Sequence, residues 1–360
     1  MKTNNFILVA LVSVFLISAC SKDDGDNSSN SLKPKGPKPA WGSTISDEML
    51  VVIEKLASFG DPALPQLTAV QARKNHTAAD AVMAVMQENN IPAPVFNLDT
   101  AGREIPVTGG TVHIRTYTPR GATSGLPVIV YFHGGGFVIA NIDVYDASAR
   151  ILADKTGAVV VSVAYRLAPE NKFPVAHNDA FDAYKWVVAN AASIKGDVNK
   201  IAIAGESAGG NLALATAIKA RDNAVKLPVA ILAIYPLVGS DTNTASYQKY
   251  ADAKPLDKAG VLWFFDKYQN TPAEGNDTRL NLVAANLTGL PQTTIINAEI
   301  DPLQTEGGTL NDRLKAAGVS VDRRVFTGVT HEFFSMGAVV PAAKDAEEYA
   351  VSRLKSALGK

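Results

Sequence analysis

Ser207 stands in Gly205-Glu206-Ser207-Ala208-Gly209, between the apolar run Ile201–Ala204 and a helical pattern covering Gly209–Ala220. A serine held on such a strand–turn–helix bend needs small residues two positions away on either side, because side chains there would collide as the chain reverses. The following helix points free N–H groups and the positive end of its dipole toward charge developing beside the serine. Serine is a poor nucleophile until a base takes its proton. A second stretch carries the same kind of signal. Val128–Phe132 reads as a buried strand and runs directly into His133-Gly134-Gly135-Gly136. Glycine loses more backbone freedom on folding than any other residue, so three in a row need a reason.

By composition alone, a chain of this length yields roughly a tenth of a Gly-x-Ser-x-Gly by chance and ~0.003 of a His-Gly-Gly-Gly. Both together, each directly after an apolar strand, resemble the α/β-hydrolase pattern, in which the order is serine, acid, histidine. Of five histidines, His76, His113, His133 and His177 precede Ser207; only His331 follows it, just past the strand pattern Val321–Phe326. The third member must orient the imidazole and stabilise its charged form. Nine aspartates lie between Ser207 and His331, but only Asp301 directly follows a strand pattern, at the strand end where open α/β sheets place their sites. Glu299 and Glu306 are the alternatives.

The sequence resembles the hormone-sensitive-lipase-like α/β-hydrolases, the bacterial family IV esterases, over about residues 43–355. The carriers are His133–Phe137 (HGGGF), Tyr165–Glu170 (YRLAPE), Gly205–Asn211 (GESAGGN), Asp301-Pro302-Leu303 and His331. The resemblance implies Ser207 as nucleophile, Asp301 as orienting acid, His331 as base, and the N–H groups of Gly135, Gly136 and Ala208 as the oxyanion hole. His133, Gly134, Gly205, Glu206 and Gly209 would support these motifs, and Arg166 and Glu170 would pair within the scaffold. The implied activity is hydrolysis of short- to medium-chain carboxylic esters through an acyl-enzyme, without metal or organic cofactor. Alternatives are a carbohydrate acetyl esterase, an amide or peptide hydrolase on the same residues, or a catalytically silent binding protein. Three departures stand out: Glu206 where the family often has Asp, Glu332 where it usually has Gly, and Ala140-Asn141 replacing a glycine-containing turn.

These residues need a framework. Apolar strand patterns at Thr111–Tyr117, Val128–Phe132, Ala158–Val163, Ile201–Ala204, Val229–Tyr235, Thr293–Asn297 and Val321–Phe326 alternate with helical ones at Asp146–Lys155, Asn178–Ala189, Gly209–Ala220 and Thr305–Ala317. The expectation is an α/β fold with a mostly parallel sheet, helices on both faces, and one domain over 41–360. Helices near 45–56, Leu64–Lys74 and from Thr77, with the amphipathic Lys258–Tyr268, predict a cap built from about 43–92 and 239–290.

The chain has 360 residues, 47% hydrophobic and 19% charged, with net charge −1. No basic footprint points to nucleic acid. Residues 1–20 read as a signal peptide with an apolar run from Phe6 to Ile17. Ile17-Ser18-Ala19-Cys20 resembles a lipobox that would lipidate Cys20, the single cysteine. That predicts an exported lipoprotein of a Gram-negative outer membrane, touching the membrane only through Cys20, with residues 21–40 as a flexible tether. A small-molecule ester is the expected partner. Monomer and homodimer both stay open.

Overall fold

Six of the seven residues in Leu126–Phe132 are buried, so this strand has no solvent face. Its alternate side chains feed two cores: Val128, Val130 and Phe132 enter one, Ile129 and Tyr131 the other. Such strands require helices on both faces of the sheet, and the computed structural model supplies them. It describes Met1 and residues 32–360. The expected signal peptide and the tether as far as Ser31 lie outside the described residues.

Helices α1 (Asp47–Ser58), α2 (Ala69–Ala72) and α3 (Ala78–Glu88) come first, followed by the hairpin β1 (Leu98–Val107) and β2 (Gly110–Pro119). Strand and helix then alternate through β3 (Leu126–Phe132), α4 (Asp146–Thr156), β4 (Val159–Ala164), α5 (Val175–Asn190), β5 (Gly196–Glu206), α6 (Ala208–Asp222) and β6 (Ala230–Ile234). After α7 (Ala245–Lys249) and α8 (Lys258–Tyr268), the chain closes with β7 (Gln292–Ile300), α9 (Gln304–Ala316), β8 (Val321–Thr330) and α10 (Pro341–Leu358). The sheet order is β1-β2-β4-β3-β5-β6-β7-β8. Pairing from β4 through β8 is parallel, while β1 and β2 join antiparallel at one edge. Helices α5, α6 and α9 pack on one face, and α4 and α10 with α1 and α3 on the other.

Four expectations need correction. The sheet has eight strands rather than seven, because β1 is an edge strand with most residues exposed and no apolar run to reveal it. The helix expected over Leu64–Lys74 is broken: Leu67 is extended, and Thr68 starts a fresh turn by forming a capping box with Gln71. The break lets Arg73 bond the carbonyls of Val138 and Ala168, tying this segment to the glycine loop. The tether does not reach residue 40, since the N–H groups of Lys35 and Gly36 donate to the Glu54 carboxylate of α1 and Leu32 packs on the core. The expected cap shrinks as well. Only Lys254–Phe264 of the second segment reaches the cavity described below, whereas Leu280, Leu282 and Leu287 sink into the core beside α6.

Candidate active site

The bend after β5 puts Ser207 at φ 55°, ψ −117°, a strained conformation for a residue with a Cβ. Hydrogen bonds on both sides hold it there: Ser207 N–H donates to the Ile234 carbonyl at 2.9 Å, and Leu237 N–H donates to the Ser207 carbonyl at 3.1 Å. A Cβ at Gly205 would overlap the Gly209 backbone, which explains the need for small residues around the serine. Ser207 is the N-cap of α6, yet its hydroxyl makes no capping bond. It turns instead to His331, whose Nε2 is 2.9 Å from Ser207 Oγ.

His331 follows β8 directly, and Asp301 follows its neighbour β7. Their adjacency brings His331 Nδ1 to 2.7 Å from Asp301 Oδ2, while Asp301 Oδ1 accepts the Leu303 N–H at 2.8 Å. Asp301 is wholly buried and His331 nearly so. Burial opposes protonation of His331, but the charge and hydrogen bond of Asp301 outweigh it, with Glu332 and Glu206 adding, so its pKa is raised. The alternative carboxylates face elsewhere. Glu299 accepts from Thr44 Oγ1 and Gly328 N–H and so braces the loop leading to His331. Glu306 accepts the Val238 N–H at 2.6 Å.

The glycine loop after β3 lies opposite. Gly135 and Gly136 have φ of 94° and 60°, and no acceptor among the described residues pairs with their N–H groups or with that of Ala208. His133 lies beneath the loop, its Nδ1 2.8 Å from the Gly134 carbonyl and its ring stacked on Tyr165 at 4.3 Å. Burial lowers its pKa to about 4, keeping it neutral. Tyr165 Oη donates to the carbonyls of His133 and Gly134 at 2.9 and 3.2 Å, so the YRLAPE segment shapes the loop through its tyrosine. Arg166 and Glu170 pair within the scaffold but not with each other: Arg166 forks onto buried Asp179, and Glu170 binds Arg73.

Glu206, one residue before the serine, is buried and accepts from Tyr131 Oη at 2.5 Å and from Tyr235 Oη. Burial pushes its pKa up to about 7, and the Glu332 charge adds to this. These two tyrosines carry no local signal in the sequence; one lies on β3 and the other just past β6, and they meet only in the folded sheet. Two of the three departures from the family pattern share a backbone feature, since Ala140 and Glu332 both hold positive φ, at 63° and 65°.

Above Ser207 opens a cavity of about 1260 Å³. Its walls include Leu56 of α1, Val82 and Met86 of α3, and Leu256, Val261 and Phe264 in and before α8. Both expected cap segments therefore contribute. The chemistry available at its floor is attack by an activated hydroxyl, with backbone donors placed to meet a developing oxyanion. Among the described residues no three His, Cys, Asp or Glu side chains form a group able to hold a metal ion.

Comparison with known proteins agrees with this geometry. Residues 129–335 match a family model described as alpha/beta hydrolase fold. The chain is 37% identical to carboxylesterase NlhH of Mycobacterium tuberculosis over 78% of its own length and 91% of that protein's. It is 31% identical to the ethyl acetate hydrolase of Pseudomonas putida, over 81% and 91% respectively. Among solved structures, a Pyrobaculum calidifontis esterase superposes with TM-score 0.75 at 36% identity, covering 81% of this chain and 94% of that one. A thermostable esterase from Pseudomonas putida ECU1011 gives TM-score 0.80 at 29% identity, covering 89% and 99%. The chain thus belongs to the α/β-hydrolase family, as a hormone-sensitive-lipase-like serine carboxylesterase.

Proposed function

We propose that Ser207 attacks the ester carbonyl while His331 takes its proton at Nε2 and returns it to the leaving alcohol. Asp301 holds the imidazole in the tautomer that leaves Nε2 free to accept and stabilises the imidazolium that forms. The N–H groups of Gly135, Gly136 and Ala208 receive the carbonyl oxygen as it gains charge, each contributing about 3–4 kcal/mol to lowering the barrier. Water then attacks the acyl-enzyme with His331 as base, and the acid leaves. The observation that carries this reading is the continuous path Asp301 Oδ2–His331–Ser207 Oγ, with links of 2.7 and 2.9 Å, at the floor of a largely apolar cavity.

The apolar walls support short- to medium-chain acyl groups over glycans as substrates. Ser207→Ala is expected to abolish hydrolysis of p-nitrophenyl acetate and butyrate with the fold retained, and to lose labelling by a fluorophosphonate. Turnover surviving in that variant would sink the assignment. Acetylated xylan run beside the acyl series separates the carbohydrate esterase alternative.

The chain is also read as an exported lipoprotein held at an outer membrane by Cys20. The apolar run Phe6–Ile17 and Ile17-Ser18-Ala19-Cys20 support this. Cys20→Ala should move the protein from the membrane to the soluble fraction; unchanged membrane retention argues against it.

A further inference from the structure

Most charged side chains that line the cavity are matched within the protein. Arg150 pairs with Asp146, Arg115 with Asp143, Lys254 with Asp257, and Arg73 with Glu170. His76 lies 2.9 Å from Asp61. Glu206 is held by two tyrosyl hydroxyls. Glu332 is different. Its Oε1 accepts from Tyr145 Oη at 3.2 Å, its Oε2 has no hydrogen-bond donor, and no cation reaches either oxygen among the described residues. The residue is half-buried, lines the cavity, and directly follows His331.

Its backbone sharpens the point. At φ 65° a side chain sits in the left-handed region, which costs an L-residue about 1–2 kcal/mol and glycine almost nothing. The fold therefore holds a carboxylate where glycine would sit more easily. The mechanism says which part of the substrate meets it. His331 Nε2 delivers its proton to the leaving oxygen, so that oxygen must lie against His331, and Glu332, next in the chain and lining the same cavity, is within reach of the alcohol's side. Tyr145 fixes the carboxylate there from below the glycine loop, where its ring carbon Cζ is 2.9 Å from the position a Gly134 Cβ would take.

We propose that Glu332 is a specificity-determining residue that favours esters whose alcohol carries a positive charge, such as amino-alcohol or quaternary ammonium alcohol esters, over their neutral isosteres. An unpaired carboxylate in a largely apolar cavity attracts a cation more strongly than it would in water, and the substrate's cation supplies the partner the protein lacks. The inference rests on the esterase reading of Ser207 and His331.

The test compares kcat/KM for acetylcholine with that for 3,3-dimethylbutyl acetate, which has the same shape without the charge. It uses the wild type, Glu332→Gln and Glu332→Gly, the last relieving the backbone strain so that folding is protected. The cation-to-neutral ratio should fall about tenfold in both variants, and added salt should narrow it in the wild type alone. A fall smaller than about threefold in both variants overturns the proposal. Wild-type protein that shows no Ser207-dependent hydrolysis of the neutral ester would remove the esterase reading, and the inference with it.

Discussion

The backbone of Gly209 lies flush against the carbonyl group of Phe132: a Cβ at position 209 would overlap the carbonyl oxygen and come within 2.6 Å of its carbon. This contact joins the first turn of α6 to the end of β3, and so seats the serine bend against the glycine loop. Two rigid backbones meet there, and neither can yield as a flexible side chain would. Gly209→Ala is expected to destabilise the protein by about 3 kcal/mol. Thermal unfolding would show it, and an unchanged midpoint would contradict it.

Gly136 meets the cap in the same way. A Cβ there would run into the ring of Phe264 on α8, and the residue's φ of 60° already disfavours a side chain. Gly136→Ala should displace the loop's N–H groups and lower kcat/KM for p-nitrophenyl acetate about a hundredfold, the scale of a lost oxyanion donor. Adding Phe264→Ala removes the overlap but not the strain, so activity should recover in part. Full activity in the single variant would show that the loop tolerates a side chain.

The raised pKa of His331 sets the acid limb of the reaction. The base must be neutral to accept the Ser207 proton, so activity is lost as pH falls through that value. The midpoint of kcat/KM against pH for p-nitrophenyl butyrate should lie above 6.5, the ordinary value for imidazole. A midpoint below 6.5 would mean that Asp301 does not prevail over burial.

Glu206 adds a little to the rise at the base, and its own titration acts on stability. Its carboxyl has a pKa of about 7 in the fold against an ordinary 4.5, so the folded state holds the proton more tightly. Its contribution to stability is fully present below about pH 4.5 and is lost as pH rises to about 7. Gln at this position cannot titrate. Glu206→Gln should therefore gain on the wild type by about 3 kcal/mol between pH 4.5 and pH 8, measured by urea unfolding. A difference that stays constant with pH would argue against the shift.

Much of the framework is legible locally. Lys258–Tyr268 forms the helix its pattern announces, and Thr77 caps α3 through Asp80 as the spacing predicts. Strands buried on both faces, such as β3 and β4, reveal themselves because nearly every residue must be apolar. β1 fails this rule. Leu98–Val107 is mostly exposed and becomes a strand by pairing with all ten residues of β2, an interaction outside its own sequence.

The sequence by itself determined the chemistry available: one serine on a bend between small residues, one histidine after it, and a glycine loop after a buried strand. It also determined a limit, since Glu299 and Asp301 sit two residues apart and local pattern separates them only by where the strand ends. Tertiary structure decided which acid meets His331. Glu299 still belongs to β7 and braces Gly328, while Asp301 lies just beyond the strand and faces the imidazole. It also decided that Ser207 and His331, 124 residues apart, come within 2.9 Å. The reason is geometric: parallel strands β3, β5, β7 and β8 all end at the same edge of the sheet, so residues just past those ends share one site wherever they fall along the chain.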